Sequence, residues 1–174
     1  NKLLRSDLTD GEFTYAMDFD GLEKLVRKEE NKLLLLCNPH NPAGRSWTRV
    51  ELDTLRDICR QNGVRVVSDE IHCELTVPGV DYVPYGTVDS EAVVCLSPSK
   101  AFNTAGLQIA NIVCPDAALK ALVDRAININ EVCDVNPFGV VGLKAAYTAD
   151  GAEWLDELRQ YLYENYLMVR RWRQ

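Results

Sequence analysis

An apolar run ends and a lysine-containing turn begins in the octapeptide Leu96-Ser97-Pro98-Ser99-Lys100-Ala101-Phe102-Asn103. The run from Ala92 to Leu96 predicts a short buried strand. A lysine just past the carboxyl end of such a strand lies at the edge where open α/β sheets bind ligands. There it can be desolvated and react as a neutral amine with a carbonyl group. Because a lysine at a strand end is more often a solvated surface residue, the interpretation of Lys100 depends on the loops upstream.

Two further apolar runs precede this one in the chain. Lys32 to Cys37 leads into Asn38-Pro39-His40-Asn41-Pro42-Ala43-Gly44, and Val64 to Ser68 leads into Asp69-Glu70-Ile71-His72. Short continuous apolar runs are typical of strands buried on both faces of a parallel sheet. Since the carboxyl ends of parallel strands meet at one edge of the sheet, we expect the three polar loops to lie together.

The segments around these runs predict helices and further loops. Thr48 to Asn62 begins with a capping box, Thr48 with Glu51, and is followed by Gly63, which predicts a helix. The other predicted elements are a turn at Asp10-Gly11, a helix within Asp18 to Glu30, a loop from Thr76 to Ser90, a strand from Ile109 to Cys114, a helix from Asp116 to about Ile127, an interruption at Asn136-Pro137-Phe138-Gly139, a helix from Val140 to Tyr147 and a long helix from Glu153 to Trp172. This order of elements predicts an α/β fold with a mostly parallel sheet flanked by helices.

The composition argues against several classes of function. The 174 residues carry a net charge of −7 and no basic stripe, so a nucleic-acid partner is not expected. No apolar run is long enough to span a membrane. The six cysteines form no C-x-x-C pair, which favours reduced thiols in a cytoplasmic protein over disulfides or a zinc site. The glycine motifs of dinucleotide-binding and P-loop proteins are absent from the sequence.

Each polar loop has a purely structural explanation when it is taken alone. Asn41-Pro42-Ala43-Gly44 makes a good turn without any chemistry. Asp69-Glu70 is common as a helix cap or a solvated pair, and a lone His72 is more often a core or surface residue than a catalytic one. Ser97 and Ser99 can satisfy nearby backbone groups. The combination of these residues at one sheet edge indicates a functional site more specifically than any single residue does.

Together the loops fit one cofactor, pyridoxal phosphate. This cofactor needs a lysine for its aldehyde, an acid at its ring nitrogen, and donors for its phenolic oxygen and its phosphate. Lys100 would bind the aldehyde, and Asp69 would keep the ring nitrogen protonated so that the ring can withdraw electrons. The remaining donors are predicted to be Asn41 and His72 for the phenolic oxygen, and Ser97 and Ser99 for the phosphate.

The order and spacing of the three loops resemble the fold type I pyridoxal-phosphate enzymes of the class I/II aminotransferase family. The resemblance is carried by Asn38-Pro39-His40-Asn41-Pro42-Ala43-Gly44, by Ser68-Asp69-Glu70-Ile71-His72, and by Ser97-Pro98-Ser99-Lys100-Ala101-Phe102-Asn103 with Ala105-Gly106-Leu107. It covers nearly the whole chain. His72, where many aminotransferases have a tyrosine, and Asn136-Pro137-Phe138-Gly139 are most similar to the MalY/PatB-type cystathionine β-lyase branch.

The resemblance implies a domain organisation and an assembly. Residues 1–150 would be part of the cofactor-binding large domain, a three-layer αβα fold, and residues 151–174 would begin the long helix that leads to a smaller C-terminal domain. A homodimer and an amino-acid substrate are implied for the full-length protein. The first residue is Asn1 and the last lies inside a helical pattern, so we expect a part of a longer protein that does not catalyse by itself.

The resemblance also assigns roles and exposes one departure. Lys100 would form the Schiff base and carry the substrate α-proton, and Asp69 would stabilise the resulting carbanion through the ring. Many family members have an arginine eight residues after the lysine as a phosphate anchor, and this chain has Gln108. Phosphate binding would then depend on Ser97, Ser99 and groups outside the chain, because glutamine supplies no charge.

Several functions remain open at this level. The leading hypothesis is a carbon–sulfur β-lyase that acts on cystathionine or a related cysteine S-conjugate and releases a thiol, pyruvate and ammonia. An aminotransferase would use the same residues, so the motifs do not separate the two. A regulatory or binding module that retains the fold is a further alternative. A plain nucleotide-binding domain is disfavoured by the missing glycine motifs.

Overall fold

The computed structural model describes residues 2–7, 13–132 and 134–172. The strands are β1 (Leu3–Asp7), β2 (Phe13–Met17), β3 (Leu33–Cys37), β4 (Arg65–Asp69), β5 (Val93–Leu96) and β6 (Asn111–Val113). The α-helices are α1 (Phe19–Val26), α2 (Arg49–Gln61), α3 (Ala117–Ile129), α4 (Pro137–Ala146) and α5 (Ala149–Trp172). None of the helices in these ranges is both long and apolar enough to cross a membrane.

A four-stranded sheet in the order β3-β4-β5-β6 forms the centre of the fold. The first three strands are parallel, and β6 runs antiparallel to β5. This confirms the predicted α/β class with its mostly parallel sheet. The register aligns Cys37 with Asp69 and Asp69 with Cys95, so the carboxyl ends of β3, β4 and β5 lie at one edge.

Helix α2 covers one face of the sheet as its sequence predicts. The Thr48 side chain accepts from the backbone N–H of Glu51, and the Glu51 carboxylate accepts from the backbone N–H of Thr48, which completes the capping box. The buried side of the helix contributes to the core. Its buried residues are Leu52, Leu55, Ile58 and Cys59. Gly63, at φ +66°, lets the chain reverse into β4.

Four segments differ from the expectation, and one of them is α5, which begins at Ala149, four residues before the predicted Glu153. The first residues form an antiparallel pair, β1 with β2, where no strand was predicted, and the expected turn at Asp10-Gly11 lies outside the described residues. Helix α1 is shorter than expected and begins after Asp18, whose side chain accepts from the Gly21 N–H. Helix α4 begins at Pro137, three residues before the predicted start at Val140, so Pro137-Phe138-Gly139 are helical and Asn136 is the last residue before the helix. Asn136 caps the helix, and a proline is tolerated in the first turn because that N–H needs no helical partner.

Trp47 fixes the loop between β3 and α2, and its loss is expected to be costly. It is 1% exposed, and its Nε1 donates to the Cys37 carbonyl at 2.9 Å. We expect Trp47→Ala to lower the free energy of unfolding by about 3–5 kcal/mol, because it leaves a large cavity in the core. Urea denaturation of the protein that carries this chain measures the effect. Val50→Ala is the control, since Val50 is 74% exposed, and equal losses in the two variants would contradict the prediction.

Candidate functional site

Asp69 is the last residue of β4 and presents its carboxylate at the carboxyl edge of the sheet. Its neighbours across the sheet are Cys37 of β3 and Cys95 of β5. The side chain is exposed, and its Oδ1 accepts from the Ile71 N–H at 3.1 Å. The strand pairing thus holds this carboxylate between the loops that follow β3 and β5, as the three parallel strands predict.

Asn41 and His72 line a common cavity of about 530 Å³. The cavity lies between the loop 39–46 and the segment 72–80, and its volume is in the range of small-molecule sites. The Nδ1 atom of His72 is shielded from solvent and has no hydrogen-bond partner within the described ranges. A buried polar atom without a partner is unusual and suits a site that receives a polar ligand. The two residues predicted to bind the same oxygen are therefore brought together.

The loop that carries Asn41 is rigidly connected to the strands. The Asn38 N–H donates to the Asp69 carbonyl at 3.0 Å, and His40 pairs with Arg45 as an isolated antiparallel bridge. Gly44, at φ +63°, closes the turn between them, a conformation that glycine adopts without strain. The peptide bonds before Pro39 and Pro42 are cis.

Arg45 and Trp47, which the sequence did not single out, hold this loop. The Arg45 guanidinium forms an ion pair with Glu51 at 2.8 Å, donates to the Tyr15 carbonyl and lies over the Trp47 ring at 4.9 Å. Because its Nη1 and Nη2 atoms are engaged within the fold, Arg45 serves the loop, although it lines the cavity. In the sequence, an arginine two residues from a tryptophan is the signal that could have indicated this anchor, because a guanidinium is attracted to the face of an indole ring.

Lys100 lies in the turn after β5 and is exposed. Its ammonium group makes no hydrogen bond or ion pair with any residue that the structure describes. The turn is held by its backbone, with Phe102 N–H donating to the Pro98 carbonyl at 2.9 Å and Thr104 N–H to the Ser99 carbonyl at 3.1 Å. The amine is thus carried on an ordered turn and remains available for reaction.

Ser97 and Ser99 differ in what they offer. Ser97 is buried, its Oγ donates to the Ile109 carbonyl at 2.7 Å, and it accepts from the Ser99 N–H at 3.2 Å. Its hydroxyl hydrogen is therefore used within the turn, and a phosphate role for Ser97 would require that bond to break. Ser99 is half-buried. Both phosphate roles stay predictions.

The structure brings only part of the predicted set to one cavity. Asn41 and His72 line it, whereas Asp69, Ser97, Ser99 and Lys100 do not. The latter four residues are placed at the same sheet edge by strand order alone. Gln108, the position of the missing arginine, is exposed and adopts φ +48° at the end of the 105–107 turn. The side chain of Gln108 makes no hydrogen bond with the described residues.

Helices α4 and α5 connect the loops that follow β4 and β5. The Tyr147 hydroxyl donates to Glu74 Oε1 at 2.6 Å, and the Phe102 ring stacks on Trp154 with centroids 5.5 Å apart. Arg159 Nε donates to the Thr76 carbonyl at 2.7 Å. The segment after His72 and the turn after Lys100 are therefore both held by α5, and the segment after His72 also by Tyr147, the residue that follows α4.

A buried carboxylate, Glu70, lies directly beside Asp69 and was not predicted as important. It is 1% exposed and accepts from Ser68 Oγ at 2.8 Å and from the Tyr85 N–H at 2.9 Å. It also accepts from the Tyr82 hydroxyl and, at 3.5 Å, from Asn38 Nδ2. Burial and the hydrogen bond to Glu70 raise the pKa of the Tyr82 hydroxyl, so this hydroxyl stays protonated and donates.

Several cysteines and acids lie near the site, among them Cys73, Glu74 and Glu70. Within the described ranges no group of three or more His, Cys, Asp or Glu side chains is arranged to hold a metal ion. Burial, with the carboxylates of Glu74 and Glu70, raises the pKa of the Cys73 thiol to about 12. The raised pKa favours the protonated thiol at neutral pH, which is a poor nucleophile.

Comparisons with known proteins agree with this arrangement. Residues 9–170 match the family described as aminotransferase class I and II. The chain is 40% identical to the cystathionine β-lyase PatB of Bacillus subtilis over 167 residues, which is 94% of this chain and 43% of that protein. It is 37% identical to the protein MalY of Escherichia coli over 154 residues, 85% of this chain and 38% of that protein.

A solved structure shows the same fold. The pyridoxal-phosphate-bound C–S lyase of Staphylococcus hominis superposes with a TM-score of 0.82 at 36% identity, and the match covers 90% of this chain and 39% of that one. The chain thus spans less than half the length of these relatives. The sequence motifs, the sheet topology and these similarities agree, and the chain belongs to the class I and II aminotransferase family.

Proposed function

We propose that the protein carrying this chain is a pyridoxal-phosphate-dependent C–S β-lyase that cleaves cystathionine or a related cysteine S-conjugate. The observation that carries the proposal is the shared sheet edge. Asn41 and His72 line one cavity, and Asp69 and Lys100 end or follow the neighbouring parallel strands. The orphaned Nδ1 of His72 and the unpaired amine of Lys100 both fit such a cofactor.

Each residue has a definite task in this proposal. The cofactor, when bound, supplies an electron-withdrawing ring for the carbanion at the substrate α-carbon. The Lys100 amine anchors the aldehyde and then accepts the α-proton. The Asp69 carboxylate keeps the ring nitrogen protonated through charge and hydrogen bonding. Asn41 and His72 hydrogen-bond the phenolic oxygen, and the phosphate is left to Ser97, Ser99 and groups outside the chain.

The proposed lyase reaction needs no keto acid as amino acceptor. Lys100 removes the α-proton, the bond between the β-carbon and sulfur breaks, and the electron pair leaves with the sulfur, which is protonated to the thiol. The remaining three-carbon unsaturated amine takes up water and gives pyruvate and ammonia. An aminotransferase would return the proton to the cofactor and would require a keto acid as amino acceptor.

We also propose a domain organisation, an oligomeric state and a cellular compartment for the whole protein. Residues 1–150 would form part of the cofactor-binding domain, and α5 would begin the helix toward a smaller domain. The protein would act on an amino acid as a homodimer. Cys37, Cys59, Cys73, Cys95 and Cys114 are free thiols, which fits a reducing compartment such as the cytoplasm.

Product analysis tests the proposed activity directly. The protein carrying this chain, loaded with pyridoxal phosphate, is incubated with cystathionine in the absence of any keto acid. We expect equal amounts of pyruvate and thiol, followed with lactate dehydrogenase and a thiol reagent. Turnover that requires a keto acid would favour the aminotransferase, and a loaded protein without either activity would favour a binding module.

A further inference from the structure

Glu70 occupies a position from which it can order the proposed site without contacting the cofactor. Ser68 and Glu70 lie on the same, buried face of β4 and its extension, while Asp69 between them faces the opposite side and is exposed. The strand pairing continues through Glu70, whose N–H donates to the Cys95 carbonyl at 2.9 Å. Fixing the side chain of Glu70 therefore also fixes the direction in which Asp69 points.

The donors around Glu70 come from three separate segments. Ser68 belongs to β4, and Asn38 is the first residue after β3 and opens the loop to Asn41. Tyr82 and Tyr85 belong to the segment between β4 and β5. The carboxylate is the only acceptor among the described residues that joins all three segments through side-chain bonds.

The same residue begins the turn that carries His72. The Cys73 N–H donates to the Glu70 carbonyl at 2.9 Å, so the turn 70–73 closes on the backbone of Glu70. Asp69 precedes Glu70 in the chain and His72 follows it. The loop that carries Asn41 begins at Asn38, which donates to the Glu70 carboxylate. A carboxylate is suited to this task because it offers several lone pairs and no hydrogen, and the four groups around it all donate.

We propose that Glu70 is the positioning residue that sets the relative placement of Asn41, Asp69 and His72 toward the cofactor; this rests on the proposed function. Glutamine at this position would keep the shape but replace one acceptor by an amide that donates. The –NH2 group would take the place of Oε2, so the Tyr82 hydroxyl would have to turn from donor to acceptor. The three bonds to the remaining oxygen would also lose the negative charge that strengthens them. The three segments would then be held less firmly, and Asp69 would lose its alignment.

The test uses pyridoxine 5′-phosphate, which lacks the aldehyde and cannot react with Lys100. Its binding to the apo form of the protein carrying this chain therefore reports the non-covalent contacts. We expect Glu70→Gln to weaken binding by about 10- to 100-fold, the range found when a group that orients a metal-binding residue is lost. We also expect the ultraviolet absorption of the bound analogue, at one fixed pH, to shift from the protonated ring to the neutral ring, because Asp69 no longer pairs with the ring nitrogen.

Matched variants separate positioning from general stability. Glu91→Gln changes a carboxylate whose side chain is 62% exposed, and it should bind the analogue like the wild type. All titrations are made below the unfolding temperature of the least stable variant. If Glu70→Gln does not fold, Tyr82→Phe provides the test, because it removes one donor from the same carboxylate. It should change the affinity for the analogue and the absorption of the bound analogue in the same direction as Glu70→Gln, but by less.

The outcomes distinguish the inference from the function on which it rests. A folded Glu70→Gln, or in its absence Tyr82→Phe, with wild-type affinity and absorption would overturn the positioning role. Weaker binding with an unchanged absorption of the bound analogue would also overturn it, because the ring would still meet an aligned Asp69. A wild-type protein that does not bind the analogue would contradict the proposed function itself, and the inference with it.

Discussion

Replacing Lys100 with alanine is expected to remove both the covalent attachment of the cofactor and the turnover of cystathionine. The amine is exposed on an ordered turn and pairs with none of the described residues, and alanine offers neither an amine for the aldehyde nor a base for the α-proton. Loss of proton transfer alone is expected to lower kcat by about 10²- to 10⁴-fold. Borohydride reduction followed by peptide mass mapping should find the pyridoxyl adduct on Lys100 in the wild type and nowhere in Lys100→Ala.

Two further variants sharpen this expectation. Lys100→Arg keeps the positive charge, but a guanidinium does not lose its proton at neutral pH, so the variant should be as inactive as Lys100→Ala. Lys120→Ala removes an exposed lysine of α3 and should keep both the adduct and the activity. An adduct on another lysine of the active wild type would show that Lys100 does not have its proposed role.

The main sheet and α2 were predictable because local signals agreed with the tertiary structure. Each parallel strand is a short apolar run that ends in polar residues, and α2 has both its capping box and its terminal glycine. The β1–β2 pair was missed because most residues of β1 are exposed and show no clear alternation. The start of α4 was misjudged because Asn136-Pro137 was interpreted as a break, although the same residues cap a helix.

Within the candidate site, only residues that directly follow a predicted strand could be placed from the sequence. Lys100 and Asp69 follow apolar runs, and parallel strands bring such positions to one edge. Glu70 was not recognised because its partners Tyr82 and Tyr85 come from a loop without a regular pattern. A signal was nevertheless present, since Glu70 shares its strand face with Ser68 and the buried Val66, and a carboxylate in that register requires buried donors.

Asp69→Asn is expected to separate cofactor attachment from catalysis. The amide keeps a hydrogen-bonding group at the end of β4 but removes the negative charge that would face the ring nitrogen. An opposite charge at hydrogen-bonding distance raises the pKa of a cationic group by about 1 to 3 units, which is about 10- to 1000-fold in the protonated fraction at pH values above that pKa. We therefore expect kcat to fall by about 10- to 1000-fold.

The covalent adduct on Lys100 should persist in Asp69→Asn, because the amine and its turn are untouched. This combination, retained adduct with lost turnover, distinguishes the role of Asp69 from that of Lys100, whose replacement removes both. Asp81→Asn, which changes an exposed acid in the 76–90 loop, is the control and should retain activity. Unchanged pyruvate formation by Asp69→Asn would mean that the ring is protonated by another group or works unprotonated, and the carboxylate at the end of β4 would then be a structural residue.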